Sequence, residues 1–285
     1  MKALSLGLLL GLCLLMGCDE LSVTSPPVLL TPQGERLLTP CTLLPVLPVQ
    51  QAGLPRQFDL LVWNLYKLQR PGWQDALVSA PADLMLLQEA VDAPPFTQLL
   101  GEQGYAWQQV AAFTYEGRTA GVMTAAHTPE LFSCPLAYPE PVFRLPKTAL
   151  VSLYALEGSR YPLLVINLHG VNFDLGTASY EEQLAPLLKL SRRYPGPVLF
   201  AGDFNSWSER RSRLLQSRMA RQQFLSAHFS PDQRRRIGEW PLDQVFYRGL
   251  ILEQASAEPS AASDHNPLRL RFRLADHTTS PGKSK

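Results

Sequence analysis

The chain has 285 residues, of which 46% are hydrophobic and 18% are charged, so it is long enough to bury a substantial core. Its 26 basic residues nearly balance its 25 acidic ones, and the formal net charge is +1. This balance excludes a uniformly basic nucleic-acid-binding protein, although a nuclease needs only a local basic face. The composition predicts one large α/β domain or two small ones.

The first residues predict export. An apolar run from Leu4 to Met16 has the length of a signal-peptide core and is shorter than the roughly 20 residues that span a bilayer. It closes with Leu15-Met16-Gly17-Cys18, which resembles a bacterial lipobox. The resemblance implies that residues 1–17 are removed and that Cys18 is lipidated; an ordinary signal peptide with an incidental cysteine is the alternative. Asp19 favours the inner membrane by the same resemblance, so we expect a periplasm-facing lipoprotein of the bacterial cell envelope.

The next segment predicts a tether. Residues 18–56 carry seven prolines, which fix φ and remove backbone donors, so a lipid-anchored extended segment is expected there. Apolar residues between Leu43 and Leu47 indicate that its later part lies against the domain. The domain itself is expected at residues 57–275, and the polar residues 276–285 are expected to be a disordered tail.

Two cysteines remain in the mature chain besides the one at the lipobox. Cys41 and Cys134 could pair in an oxidising compartment or stay as two buried thiols, and the sequence alone does not show their distance. Neither has a second cysteine or a histidine at metal-ligand spacing. They are therefore not expected to hold a metal.

Short apolar runs alternate with helical patterns along the domain. This alternation predicts an α/β protein in layers. Strands are predicted at 58–63, 83–88, 148–156, 161–168, 197–201 and 268–274. Helices are predicted at about 72–80, 94–103, 177–193 and 207–227.

Polar clusters stand at or just after the ends of these runs. Strand ends hold side chains rigidly and aim them into a shared crevice. Carboxylates and amides there suit a hard cation such as Mg²⁺, and a histidine can serve as acid, base or phosphate contact. Taken singly, each cluster could be a turn or a helix start. The clusters are Trp63-Asn64, Gln88-Glu89, Asn167-Leu168-His169, Gly202-Asp203-Phe204-Asn205, Leu242-Asp243 and Ser263-Asp264-His265-Asn266-Pro267.

This series resembles the endonuclease/exonuclease/phosphatase family over residues 57–274, and in particular a bacterial lipoprotein branch of it. The resemblance implies an α/β four-layer sandwich, in which two packed mixed β-sheets are flanked by helices as in deoxyribonuclease I. Gln244 departs from the pattern, because an aromatic residue or a histidine is expected after Leu242-Asp243.

The resemblance and the residue chemistry together imply a metal and phosphate site. Glu89 is the expected principal ligand of Mg²⁺, or of Mn²⁺, with Asn64 beside it and Asp264 as a further ligand. Asn167 is expected to brace the site or to touch the phosphate. Arg118 is a further candidate phosphate contact.

The catalytic roles follow from the same comparison. Asp203 is expected to orient or deprotonate the attacking water, and Asn205 to donate to the oxygen that gains charge on phosphorus. His265 is expected to contact the phosphate or protonate the leaving oxygen, with Asp243 fixing its tautomer. His169 is expected to flank the scissile phosphate.

The expected activity is Mg²⁺-dependent, nuclease-like hydrolysis of a phosphodiester by water. The substrate is expected to be nucleic acid or a phospholipid head group, and the membrane is a second partner through the N-terminal lipid. Arginines at 210–221 and 234–236 fit phosphate contacts, or equally a solvated helix face. The alternatives are a phosphoesterase acting on a phospholipid or a small molecule, and a non-catalytic binding lipoprotein. The sequence gives no basis for inferring a protein partner.

Overall fold

The computed structural model describes residues 21–23, 26–36, 41–47, 53–79, 81–142, 144–174 and 176–275. The predicted signal peptide, Cys18 and the predicted tail lie outside the described residues. The helices are α1 (Trp73–Val78), α2 (Pro94–Glu102), α3 (Ala178–Arg193) and α4 (Glu209–Ala220). The strands are β1 (Leu29–Thr31), β2 (Gly34–Arg36), β3 (Gln57–Asn64), β4 (Leu84–Asp92), β5 (Ala106–Tyr115), β6 (Arg118–Ala126), β7 (Phe132–Pro139), β8 (Pro146–Tyr154), β9 (Leu163–His169), β10 (Val198–Asp203), β11 (Leu225–Ser226), β12 (Arg236–Ile237), β13 (Trp240–Pro241), β14 (Asp243–Arg248), β15 (Leu250–Ala257) and β16 (Leu268–Leu274).

Two mixed sheets form the centre of the fold. The larger has eight strands in the order β15-β16-β3-β4-β6-β5-β1-β2, and the smaller has six in the order β11-β14-β10-β9-β8-β7. Each contains one parallel pair, β3 with β4 and β9 with β10, among antiparallel neighbours. Strands β12 and β13 form a separate short hairpin.

Alternation along the strands builds the layers. In β16 the apolar residues Leu268, Leu270 and Phe272 are buried, while the arginines between them are half-buried. The inner faces of the two sheets share one apolar cluster, to which Leu60 and Val165 belong. Residues of α1 and α2 pack on the outer face of the larger sheet, and residues of α3 and α4 on that of the smaller. The result is the expected four-layer sandwich.

The predicted tether is partly wrong. Residues 29–36 form β1 and β2, and Leu29 of β1 pairs with Val110 of β5, so this part of the segment belongs to the larger sheet. These strands are too short for a two-residue alternation to be recognised in the sequence, and prolines surround them. Leu44 and Leu47 pack against the core of the smaller sheet, as expected for the later part. The folded domain therefore begins before residue 57.

Cys41 and Cys134 form a disulfide with their Cα atoms 5.3 Å apart. The bond joins the segment before β3 to β7 across 93 residues of sequence. Among the described residues, no helix is long and apolar enough to cross a membrane. The helix predicted at 207–227 ends at Ala220, because β11 pairs with β14 from Leu225 onward.

Candidate active site

At one end of the sandwich, the inner faces of the strands change from apolar to polar. Leu60 and Val62 of β3 face the core between the sheets, and the next residue on that face is Asn64. In β10, Leu199 and Ala201 are followed on the same face by Asp203. Polar side chains are thus delivered into the mouth of the sandwich by the alternation that builds its core.

Three neighbouring strands place their site residues side by side. Asp203 is in register with His169 of β9 and with Asp243 of β14. Asp243 is the first residue of β14, so the expectation that the polar clusters stand at or after strand ends is wrong for Leu242-Asp243. Because β14 is antiparallel to β10, it starts at the end of the sheet where β10 finishes. Gly202 is required before Asp203, because a Cβ there would lie 2.0 Å from the carbonyl oxygen of Leu168.

The Asp203 carboxylate is the centre of the cluster. Its Oδ2 accepts from the Asn64 amide at 3.0 Å and lies 3.6 Å from Nε2 of His169 and 3.9 Å from Nε2 of His265. Its Oδ1 accepts from the backbone N–H of Asn205 at 2.9 Å. Burial raises the pKa of Asp203 to about 6, against the lowering effect of His265. Such a carboxyl can accept a proton from water near neutral pH.

His265 is held by Asp243. Its Nδ1 lies 2.8 Å and 3.0 Å from the two carboxylate oxygens, and both residues are buried. Burial opposes the charged form of His265, but Asp243, with Asp203 and Asp264, raises its pKa to about 10. The imidazolium therefore carries a proton on Nε2, the nitrogen that faces the Asp203 side of the site.

The loop that carries His265 is fastened to β3 and to the turn after it. Trp63 Nε1 donates to the His265 carbonyl at 2.9 Å, and the Ser263 hydroxyl donates to the Asn64 carbonyl at 2.6 Å. Arg70 donates to the Ser263 carbonyl at 2.6 Å. Because Trp63 and Asn64 are consecutive, one strand positions both the amide beside Asp203 and the imidazole beside it.

Glu89 reaches the site through a β-bulge rather than at a strand end. Gln88 and Glu89 lie between the register pairs Leu87 with Met123 and Ala90 with Gly121, so two residues oppose one. Glu89 has a φ of +48°, and its Oε1 lies 3.9 Å from His169 Nε2. The bulge turns the side chain, which would otherwise share the outer face of β4 with Leu87.

Two lysines that the sequence analysis did not identify complete the cluster. The Lys67 ammonium pairs with Oε2 of Glu89. The Lys147 ammonium lies 2.8 Å from His169 Nε2. Burial, with Lys147 and other nearby cations, holds the pKa of His169 well below its usual range, so this ring is neutral and its Nε2 accepts from the lysine. Lysines without a recognisable motif around them give no signal in sequence.

The donor set fits a hard divalent cation. A carboxylate from Glu89, an amide oxygen from Asn64 and a carboxylate from Asp264 are oxygen ligands of the kind Mg²⁺ prefers. Among the described residues, Asp203, Asp243 and His265 are the group whose ligand atoms lie within 4.8 Å of one another. Those atoms of Asp243 and His265 are already hydrogen-bonded to each other, and the Glu89 carboxylate is paired with Lys67. Lys67 would have to leave Glu89 for a cation to bind there.

One of the two predicted phosphate contacts, Asn167, is corrected by its position, and the other, Arg118, stays a prediction. Asn167 is fully buried beneath the site, where it donates to the Met123 carbonyl at 2.9 Å and accepts from Gln88 at 2.7 Å. It therefore braces the two sheets against each other, which was the other role expected for it. Arg118 is exposed at the β5–β6 turn and pairs with Glu116 at 3.8 Å.

Much of the arginine-rich stretch also has structural partners. Arg211 is buried, stacks on Trp207 and Tyr180, and donates to four backbone carbonyls, one of which belongs to Asn205. Arg213 and Arg218 pair with glutamates of helices. Arg234 pairs with Asp232 and donates to Gln244, whose amide bridges to Ser206. Gln244 thus supports the loop after Asp203.

Two packed mixed sheets that close around a cluster of carboxylates, amides and imidazoles define a deoxyribonuclease I-like protein. The family model described as "Endonuclease/Exonuclease/phosphatase family" matches residues 61–265. The chain belongs to the endonuclease/exonuclease/phosphatase family, whose fold is that of phosphoesterases. A UPF0294 protein of Vibrio cholerae is 45% identical over 245 residues, covering 85% of each chain. A UPF0294 protein of Klebsiella pneumoniae is 44% identical over 257 residues, covering 88% of this chain and 94% of that one.

Solved structures agree with the fold. An endonuclease/exonuclease/phosphatase from Beutenbergia cavernae superposes with a TM-score of 0.59 at 17% identity over 77% of this chain and 72% of that one. The human Nocturnin catalytic domain with bound sulfate superposes with a TM-score of 0.57 at 16% identity, covering 79% of this chain and 97% of that one. ANGEL2, described as a 2',3'-cyclic phosphatase, superposes with a TM-score of 0.60 at 15% identity, covering 81% of this chain and 99% of that one. At these identities, the likeness shows the fold alone.

Proposed function

We propose that the chain is a divalent-metal-dependent phosphodiester hydrolase in which water attacks phosphorus. The observation that carries this proposal is the surroundings of Asp203, whose Oδ2 lies within 4 Å of Asn64, His169 and His265. A base, a protonated imidazole and an amide donor thus lie side by side. The cation, held by Glu89 with Asn64 and Asp264, would polarise the phosphoryl oxygens.

The chain's own residues supply the proton acceptor and the phosphate contacts. Asp203 accepts the proton of the attacking water, since its raised pKa still leaves it largely ionised at neutral pH. His265 lies 3.9 Å from the same carboxylate and donates from Nε2 to a phosphoryl oxygen, while Asp243 stabilises its positive charge. Asn205 donates to a non-bridging oxygen with the amide hydrogen that Gly170 does not use.

Hydrolysis of bis(p-nitrophenyl) phosphate by the purified full-length protein tests this proposal. With Mg²⁺ or Mn²⁺ present, we expect turnover that a chelator abolishes and that Asp203→Asn lowers about 10²- to 10⁴-fold. Glu102→Gln, an exposed carboxylate on α2, is the matched control and should leave the rate unchanged. Absence of turnover with either metal would favour the non-catalytic binding alternative.

A panel of natural substrates separates the two substrate classes. Nuclease-like action on plasmid DNA or RNA is the first candidate, and Nocturnin and ANGEL2 are neighbours in fold. Action on a phospholipid head group or a small phosphoester is the second. It is favoured because Arg211, Arg213 and Arg218 of α4 already have partners within the protein, so they are less available to a long nucleic acid. Sphingomyelin and inositol phosphates belong in the same panel.

We also propose that the chain is a lipoprotein anchored through Cys18 and facing the periplasm, with the inner membrane as its location. The Cys41–Cys134 disulfide supports an oxidising compartment. Metabolic labelling with a fatty acid should mark the wild type and not Cys18→Ser. Label on both proteins would contradict lipidation at this residue.

A further inference from the structure

A cavity of about 320 Å³ adjoins the candidate active site on the side of His169. Glu89 and His169 form part of its lining, so it opens directly onto the catalytic cluster. Its opposite wall is apolar and comes from the paired strands β5 and β6, where Ala112, Phe113 and Gly121 lie at a bulge. The volume is at the small end of the range for ligand pockets, which suits a compact substituent.

Lys67 enters this cavity from the larger sheet on an unusual turn. Tyr66, Lys67 and Leu68 have φ values of +49°, +54° and +58° in succession. Left-handed backbone costs an L-residue of this kind about 1–2 kcal/mol each, and such strain persists where the surroundings enforce it. Glu89, the partner of Lys67, is itself left-handed. The backbone on both sides is therefore arranged to bring this ammonium to this place.

Lys147 enters from the smaller sheet. It lies near the start of β8, and its ammonium reaches His169 at the end of the adjacent strand β9. The described parts of the chain contain three lysines, and two of them line this one cavity; the third, Lys189, is exposed on α3. Cationic charge elsewhere is supplied by arginine.

The choice of lysine has a chemical consequence. An ammonium is a compact charge with three rotatable donors on a flexible stem, so Lys67 can leave Glu89 and turn to a ligand. Arginine in the same place would hold a carboxylate in a bidentate pair. Two ammoniums that flank a neutral imidazole beside the catalytic carboxylate form a site for anionic oxygens.

We propose that Lys67 and Lys147 bind the phosphoryl oxygens of the substrate and that the apolar wall at Ala112 and Phe113 receives a small apolar or aromatic substituent on that phosphate. This inference deepens the proposed function and rests on it for the identity of the reacting group. It assigns the chain to compact phosphate esters rather than to a long polyanion lying across the surface.

Calorimetric titration of the full-length protein with inorganic phosphate, at saturating Mg²⁺, tests the lysine pair. Lys67→Met and Lys147→Met should each weaken phosphate binding about 10- to 100-fold, the loss of one charge-assisted hydrogen bond. Lys189→Met is the matched control and should change it less than twofold. Lys67→Arg separates charge from shape and should restore part of the affinity. Wild-type affinity in both Met variants, or no phosphate binding by the wild type, would overturn the assignment.

A second measurement, the affinity for Mg²⁺, should change in the direction opposite to the affinity for phosphate. Because Lys67 competes with a cation for Glu89, Lys67→Met should tighten Mg²⁺ binding measured without phosphate, while it weakens phosphate binding. A merely structural role would weaken both together and would overturn the proposal. Thermal unfolding of each variant shows whether it remains folded, and Lys67→Gln or Lys147→Gln replaces the Met variant at the same position if that variant does not.

Phenyl phosphate tests the apolar wall. The wild type should bind it about 10-fold more tightly than inorganic phosphate, since the ring leaves water. Phe113→Ala should remove most of that preference and leave inorganic phosphate unaffected. Equal affinity of the wild type for the two ligands would refute the substituent pocket. These arms measure binding alone, so a failure of hydrolysis in the earlier test would leave their result readable.

Discussion

Arg211 offers the sharpest test of how the site is supported. Its side chain is 1% exposed, with the guanidinium 4.6 Å from the ring centroid of Trp207 and 5.0 Å from that of Tyr180. Its Nη1 donates to the carbonyls of Val171 and Asn205 at 2.8 and 3.0 Å. Nη2 donates to two further carbonyls, those of Asn172 and Asp174, each at 3.0 Å. One guanidinium thus ties together the loops that follow β9 and β10.

The loss of stability on replacing Arg211 follows from these acceptors. In Arg211→Met, the Val171 and Asn205 carbonyls are left buried without a donor, at about 1–3 kcal/mol each, while the two partly exposed carbonyls can turn to water. The free energy of unfolding should therefore fall by about 2–6 kcal/mol. Lysine has a single donor atom and cannot span both loops, so Arg211→Lys should recover only part of the loss.

Urea unfolding followed by far-UV circular dichroism and tryptophan fluorescence measures the change, with the disulfide kept oxidised. Arg213→Met is the matched control on the same helix, because Arg213 is exposed and pairs only with Glu209. Its effect should stay below about 0.5 kcal/mol. If Arg211→Met and Arg213→Met differed by less than that amount, the carbonyl network would not contribute as argued.

Three further predictions concern the site and the framework. Asp243→Asn should lower kcat for bis(p-nitrophenyl) phosphate about 10²- to 10⁴-fold with little change in KM, because His265 loses the carboxylate that keeps it protonated; an unchanged kcat would exclude that role. Gly202→Ala should lower the free energy of unfolding by at least about 2 kcal/mol, since its Cβ would collide with the Leu168 carbonyl. Gly34 also has a positive φ but lies in open space, so Gly34→Ala should cost less. Equal losses in the two variants would mean that backbone strain alone causes the destabilisation. Reducing the Cys41–Cys134 disulfide should lower the free energy of unfolding by up to about 4–5 kcal/mol for a loop of this length, and so lower the urea midpoint. Cys41→Ser should remove the sensitivity to reductant, and a midpoint independent of reductant would show that the bond adds no stability.

The strands β3 and β10 were predictable because each is a short apolar run, and Asn64 and Asp203 stand where these runs end. The apolar residues of β3 and β10 share a face with Asn64 and Asp203, so one pattern indicates the core and the polar end together. The strands β1 and β2 escaped because they are three residues each and lie among prolines. The strand that joins them to the larger sheet, β5, is more than 70 residues away along the chain and leaves no local signal.

The metal and phosphate side of the site was less predictable, for a different physical reason. Asn167 stands in a motif that resembles a site segment, yet the alternation that puts His169 at the mouth puts Asn167 one step deeper, in the polar layer between the sheets. Lys67 and Lys147 carry no motif. Lys67 meets Glu89 because a left-handed turn after β3 and a bulge in β4 redirect their side chains, whereas Lys147 lies on the regular strand β8. The local pattern of apolar and polar residues indicates on which face of a regular strand each side chain lies. It does not record where an irregularity redirects a side chain, and in this fold Glu89 and Lys67 are placed by such irregularities.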